Sequence, residues 1–342
     1  MFKTAVVIGG GAFGTSMASI LANNFSRVIL LVRSHDVYQG VKEKGINTVY
    51  LPQFTLSKKI IAANTWDEVD SLIQEKIELI VSGLPTQSMR EYFGQHQQRI
   101  ERYLSNGIPM VSLSKGIDAD TLELPDDILA HHFPHQFDKI LHLSGPSYAE
   151  EILTEQISMV SLAGRDKRLL EICGKMIDTE YFKVMYSYDV KGVLLGGALK
   201  NLLGIAGGIV EGLGFNHNTR AAMITRGINE MLRFGVVYNA RPETFYGLSG
   251  MGDLILTVTG NLSRNKTFGI EISKGRRPED IINSQRTVVE GYKTTLAAFK
   301  IAEKYDIRAR MTRGLYSVLY ENANPLLVIK NLMKVPSKFE VE

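Results

Sequence analysis

Cysteine is nearly absent from this sequence: Cys173 stands alone in 342 residues. A lone cysteine excludes an intramolecular disulfide and suits a reducing compartment, so a cytoplasmic location is expected. No secretory leader is expected either, because MFKTAVVIGGG runs straight into a β-branched stretch with no apolar core and no cleavage site. There is no dense block of lysine and arginine. With a net charge of +3, nucleic acid is not an expected partner, whereas anionic small molecules are compatible. Three of the histidines cluster at His131, His132 and His135, but no cysteine or carboxylate spacing completes a metal site around them. A solvated loop after a helix is the expectation there, with no metal. Tandem repeats and low-complexity segments are absent as well.

What the chain does have is an ordinary globular composition, 44% hydrophobic and 22% charged, long enough for two domains with a large core. Its most unusual stretch is KGVLLGGALKNLLGIAGGIVEGLG, Lys191 to Gly214. This is enough for about six turns of helix. Lys200 is the only charged side chain between Lys191 and Glu211, with Asn201 beside it. A transmembrane helix is one reading, but the central lysine, the lack of a second such segment and a mean hydropathy of -0.02 argue against stable membrane insertion. A core helix whose lysine snorkels outward is the plain alternative. The third reading is a catalytic lysine facing a cleft, its pKa lowered by burial. The glycines, each costing roughly 1 kcal/mol in a helix, make sense if other backbone must come close.

The first half reads as alternating strands and helices. Thr4–Ile8 is a short buried strand, followed at once by Gly9-Gly10-Gly11-Ala12-Phe13-Gly14 and a helix over Thr15–Asn23. This is a dinucleotide fingerprint in its proper setting: Gly9 for the turn, Gly11 for approach to a pyrophosphate, Gly14 for helix–strand packing. Amides at the helix start then face the phosphates. Val28–Val32 is the second strand, and Arg33 follows it where an NAD-preferring site usually has a carboxylate. NADP is therefore at least accepted. Further strands are expected at Leu79–Ser82, Pro109–Ser112, Ile140–Leu143, Ile157–Leu162 and Phe182–Met185, with Thr86 as a helix cap. Lys115, Gly145 and Ser147 follow strand ends, where ligands of open α/β sheets bind.

From about Asp189 helical periodicity takes over. The expected organisation is an α/β Rossmann-type domain with a mostly parallel sheet over residues 1–188, an all-α domain over 189–336, and a tail at 337–342. The helical half carries Asp253 after the glycine-rich GLSGMG, Ser263-Arg264-Asn265 at a helix start, and Val288-Val289-Glu290-Gly291 in an apolar setting. Arginine with helix-start amides suits a phosphate.

Taken together, GGGAFG at 9–14, SKG at 114–116, SGPSYAEE at 144–151, GGALKN at 196–201, GLGFNHNTRAAMITRG at 212–227, GLSGMGDLILT at 247–257, SRN at 263–265 and VVEGY at 288–292 resemble bacterial NAD(P)-dependent glycerol-3-phosphate dehydrogenase over nearly the whole chain. The resemblance implies NADP(H) and/or NAD(H) as cofactor and dihydroxyacetone phosphate and sn-glycerol 3-phosphate as substrates, the latter feeding phospholipid synthesis. It implies Lys200 as proton acceptor in alcohol oxidation and Lys115 as a contact of both nicotinamide and substrate. It implies Gly145, Ser147, Asp253, Ser263, Arg264 and Asn265 around the substrate, and Phe13, Arg33, Ala149, Arg264, Val288 and Glu290 around the cofactor. Ala12 is a departure, since the family often has Ser there; a hydroxyl contact to the pyrophosphate is lost and the backbone amide stays. A homodimer is expected. The rivals are another dehydrogenase of the same layout acting on a phosphorylated or hydroxyacyl substrate, and a non-catalytic nucleotide sensor. The intact Lys115, Lys200 and Asp253 set speaks against the sensor.

Overall fold

The structure is a computed structural model, and it describes residues 1–284 and 289–334. One eight-stranded sheet carries the first half. Its strands are β1 (Phe2–Ile8), β2 (Phe25–Leu31), β3 (Ile60–Ala63), β4 (Ile77–Ser82), β5 (Met110–Ser112), β6 (Ile140–Ser144), β7 (Ser158–Ala163) and β8 (Phe182–Ser187). They lie in the order β3-β2-β1-β4-β5-β6-β7-β8. The first six positions are the 3-2-1-4-5-6 order of dinucleotide-binding sheets, all parallel. β7 turns back antiparallel to β6, and β8 runs parallel to β7.

The central strands are apolar on both faces, as a sheet covered by helices requires. Ala5 and Val7 join one core layer with Val28 and Leu30. Val6 and Ile8 join the opposite layer with Ile29 and Leu31. Strand β3 is not foreseen from sequence, since the four residues IIAA carry no measurable period. Thr86 does not act as a cap. Pro85 holds that position, and the Thr86 hydroxyl is buried without a partner, lodged where Gly116 leaves room for it. His131 and His132 also differ from expectation. They close the helix Pro125–His132, with His132 buried rather than in a solvated loop. Among the described residues no group of three potential metal-ligating side chains occurs.

After β8 the chain becomes helical. Asp189 accepts a hydrogen bond from the Gly192 amide at 2.9 Å and so caps the helix Val190–Gly212. This helix is apolar enough to cross a membrane, with a mean hydropathy of 1.7, yet 89% of that span is buried inside the protein. It forms the axis of the helical half, whose core packs around it. Lys191 in its first turn pairs with Asp126 at 3.2 Å, and Asp126 pairs with Arg165 at 2.7 Å. This cluster ties the start of the long helix to the sheet layer.

Candidate active site

The fingerprint turn has the shape a dinucleotide needs. Gly9 has φ +105 and lies against Gly83, where a Cβ would sit 3.0 Å from a carbonyl oxygen. At Gly14 a Cβ would come within 2.1 Å of the Gly9 carbonyl. Gly11 is different, because a Cβ there would meet nothing within 4 Å. It stands at the N-cap of the helix Ala12–Asn24 with no side-chain cap. The first amides of that helix, including those of Ala12 and Phe13, thus have no capping side chain, and the space beside Gly11 is open, which fits a pyrophosphate. Arg33 follows β2, exposed, with no ion pair or hydrogen bond to protein among the described residues. Ala149 opens a short helix, and its carbonyl accepts from Ser16 at 3.0 Å, so it borders the fingerprint helix.

The reacting end is assembled from segments far apart in sequence. Lys115 follows β5. Its ammonium donates to the Gly145 carbonyl at 2.9 Å and to Asp253 Oδ2 at 2.9 Å. It also lies 5.4 Å from the centre of the Phe13 ring, beside the fingerprint. Lys200 donates to Asp253 Oδ1 at 2.7 Å and to the Thr257 hydroxyl at 3.0 Å. One carboxylate therefore bridges two lysines. Asp253 is 1% exposed, while each lysine keeps 12% of its side chain open. An ammonium has three donors, and each lysine spends two on protein, so each retains one for a ligand.

Local structure explains why the carboxylate lands there. A one-turn π segment, Leu248–Gly252, redirects the chain so that Asp253 is the first residue of the helix Asp253–Thr259, a favourable place for an anion. Thr257 lies four residues on and shares its face. Lys200 comes from the side because Gly197 lets the long helix press on the end of β6, where a Cβ would be 2.5 Å from Ser144 Oγ. Burial pushes the Lys200 ammonium below its ordinary value; Asp253 opposes this, and Lys115 adds to it.

The remaining sequence candidates surround this centre. The Ser147 hydroxyl donates to the Gly145 carbonyl at 2.9 Å, on the same oxygen as Lys115. Gly145 itself has φ +147 and is pressed against Val160, so its glycine is also required by the turn. Ser263 caps the helix Arg264–Ser273 by accepting from the Lys266 amide at 3.2 Å. Arg264 is exposed at that helix start. Asn265 acts as a brace here: it donates to Asn201 Oδ1 at 3.0 Å and accepts from the Gly291 amide at 3.1 Å. Asn201 in turn donates to the Lys115 carbonyl at 3.1 Å and to Glu290 at 3.4 Å. Burial raises the Glu290 carboxyl above its ordinary value, against the pull of Arg264, Lys200 and Lys115. Val288 lies outside the described residues. Sequence reasoning assigned no role to Thr257 or Asn201. The four-residue step from Asp253 and the place next to Lys200 are the signals that point to them.

Models of the two halves of one protein family match this chain. NAD-dependent glycerol-3-phosphate dehydrogenase N-terminus matches residues 4–170, and NAD-dependent glycerol-3-phosphate dehydrogenase C-terminus matches residues 189–330. A glycerol-3-phosphate dehydrogenase [NAD(P)+] of Syntrophotalea carbinolica is 38% identical over 98% of this chain and 99% of its own. The chain belongs to the NAD-dependent glycerol-3-phosphate dehydrogenase family. Another such enzyme, from Leptospira biflexa, is 37% identical over 98% of both chains. The crystal structure of glycerol-3-phosphate dehydrogenase from Coxiella burnetii superposes with a TM-score of 0.88 at 27% identity, covering 98% of this chain and 99% of that one. Lys115 and Gly145, in the first matched range, are in contact with each other, and Lys115 with Asp253 in the second.

Proposed function

We propose that this family member reduces dihydroxyacetone phosphate to sn-glycerol 3-phosphate, reversibly, with NAD(P)H, and that the product supplies phospholipid synthesis. The observation that carries the reading is Asp253 held between Lys200 and Lys115, each with one donor left over. Residues 1–188 serve dinucleotide binding, and residues 189–336 serve substrate binding and catalysis. The bound cofactor supplies the hydride and takes it back in the reverse direction. Gly9, Gly11 and Gly14 shape its cradle, Ala12 and Phe13 offer helix-start amides, and Arg33 suits a 2′-phosphate. Ala149, Arg264 and Glu290 border the same space, and Val288 is assigned to it by family resemblance.

Reduction develops negative charge on the carbonyl oxygen. Lys200 as ammonium stabilises that charge and then gives up its proton to the alkoxide; Lys115 adds a second cation. Asp253 orients both and keeps their mutual repulsion in check. Ser263, Arg264 and the Arg264–Ser273 helix start grip the phosphate, with Asn265 bracing that turn. Gly145 and Ser147 close the side next to Lys115. A cytoplasmic homodimer goes with this reading. Loss of NAD(P)H absorbance on adding dihydroxyacetone phosphate tests it; no loss with either cofactor refutes it. Light scattering tests the dimer.

A further inference from the structure

A second buried lysine lies near the phosphate end and has no part in the chemistry above. Lys266 keeps only 5% of its side chain exposed. An ammonium is buried only where acceptors replace water. This one has three: Glu211 Oε2 at 3.0 Å, the Thr259 carbonyl at 3.3 Å and Asn261 Oδ1 at 3.4 Å. Two donors are hydrogen-bonded, and the Glu211 carboxylate pairs with the charge. Glu211 belongs to the last turn of the long helix and also pairs with Arg220 at 2.7 Å. The two helices cross so tightly that a Cβ at Gly208 would lie 2.0 Å from the Lys266 carbonyl. Lys266 is therefore anchored to the rigid axis of the domain.

What it holds is an exposed strap. Residues 259–262 link the helix that begins with Asp253 to the turn that presents Ser263, Arg264 and Asn265. Thr259, Asn261 and Leu262 are exposed, and Gly260 sits among them. Tyr148 holds the helix turn that leads into the strap and lies against Gly260. Its hydroxyl donates to the Leu256 carbonyl at 2.8 Å, and a Cβ at Gly260 would be 2.6 Å from that hydroxyl. Lys266 and Tyr148 thus clamp the piece of chain that separates the carbonyl end of the site from its phosphate end.

We propose that Lys266 is a positioning residue: through the strap it fixes the span between Asp253 and the Ser263-Arg264 turn, and so sets the preference for a phosphorylated three-carbon substrate over its unphosphorylated analogue. This rests on the activity proposed above. In Lys266→Met, KM for dihydroxyacetone phosphate should rise at least about tenfold with kcat within about threefold. The ratio of kcat/KM for dihydroxyacetone phosphate to that for dihydroxyacetone should fall by a similar factor. Calorimetric titration of sn-glycerol 3-phosphate should weaken in parallel and by more than NADPH affinity changes, and Lys266→Arg should restore most of the loss. Equal loss on both substrates in folded protein, or unchanged KM, overturns the proposal and leaves Lys266 with a purely structural role. If Lys266→Met does not fold, Tyr148→Phe decides: it removes one hydroxyl from the same strap, and KM should rise several-fold with kcat held, an unchanged KM being the refutation. Failure of the wild type to turn over dihydroxyacetone phosphate would instead refute the activity itself.

Discussion

Replacing Lys200 with methionine separates chemistry from architecture, because the structure leaves Asp253 a second partner. Met keeps length and apolar fit but removes the proton and the charge. The 2.7 Å bond to Asp253 and the 3.0 Å bond to Thr257 disappear, while Lys115 stays 2.9 Å from Asp253. The buried carboxylate is not orphaned, so the roughly 3–5 kcal/mol cost of an unpaired buried charge does not apply. Removing a partly buried ammonium also removes its desolvation. We expect a stability change under about 2 kcal/mol in Lys200→Met, and a larger loss in Asp253→Ala, which leaves two ammonium groups facing each other. Turnover should respond very differently. A general acid contributes roughly 10²–10⁴-fold, so kcat should fall by at least about a hundredfold.

The assay pairs cofactor titration by fluorescence with steady-state reduction on the same folded variant. NADPH binding should survive, because the fingerprint at 9–14 is untouched. The pH profile is the sharper test. Carbonyl reduction needs Lys200 protonated, and its pKa lies below the ordinary 10.5, chiefly through burial. Wild-type reduction should decline as pH rises through that lowered value, alcohol oxidation should rise over the same window, and Lys200→Met should lose both limbs. Retained cofactor binding with near-normal turnover and an unchanged profile would refute the assignment and move the acid to Lys115.

Arg33→Asp should shift preference towards NADH, and an unchanged ratio of kcat/KM for the two cofactors would mean Arg33 is not at the 2′-phosphate. Arg264→Ala should raise KM for dihydroxyacetone phosphate by the loss of a charge-assisted bond worth roughly 1.5–3 kcal/mol, with an unchanged KM as the refuting result. Glu290→Gln gives a stability test with a definite sign. The folded-state pKa of Glu290 lies above the ordinary 4.5, so below that value both folded and unfolded chains hold the proton and the group contributes no difference. As pH rises, the unfolded chain releases its proton first, and wild-type stability falls relative to the variant. The melting-temperature advantage of Glu290→Gln should therefore grow as pH rises above about 4.5 and level off once the folded carboxyl has ionised, and a pH-independent difference would refute the burial argument.

Most of the local signals in the sequence survive in the structure, the Thr86 cap being an exception. The fingerprint is legible because its three glycines act within six residues, between a strand and a helix that they themselves shape. Capping by Ser263 and entry into the long helix at Asp189 are equally local. The centre of the site is of another kind: Lys115 and Asp253 are 138 residues apart, and Lys200 and Asp253 are 53 apart. No spacing rule joins them, and family resemblance is what named them together. The reversal of β7 against β6 is likewise set by how a chain crosses the sheet, which hydrophobic periodicity does not encode. The strap over residues 259–262 carries no motif at all, and its role emerges only from what Lys266 and Tyr148 touch.

The glycines of the long helix show how such distant residues are made to meet. As helix interior they cost roughly 1 kcal/mol each, and nothing in their own segment returns it. At four of them the side-chain position is occupied by segments that build the site. A Cβ at Gly196 would stand 2.7 Å from the Ser249 carbonyl, in the π turn that delivers Asp253. At Gly197 it would meet Ser144, which precedes Gly145. At Gly204 it would be 2.6 Å from the Thr257 methyl, and at Gly208 it would run into the Lys266 backbone. Each position therefore admits one of the segments that surround Lys200, and the helix is held by tertiary packing rather than by its own propensity. Alanine at Gly204 faces only a methyl group and has some freedom to be absorbed. Alanine at Gly208 would collide with backbone, and it should separate the two helices that anchor Lys266. A substitution that improves the helix as an isolated segment is thus expected, at Gly208, to damage the phosphate end of the site.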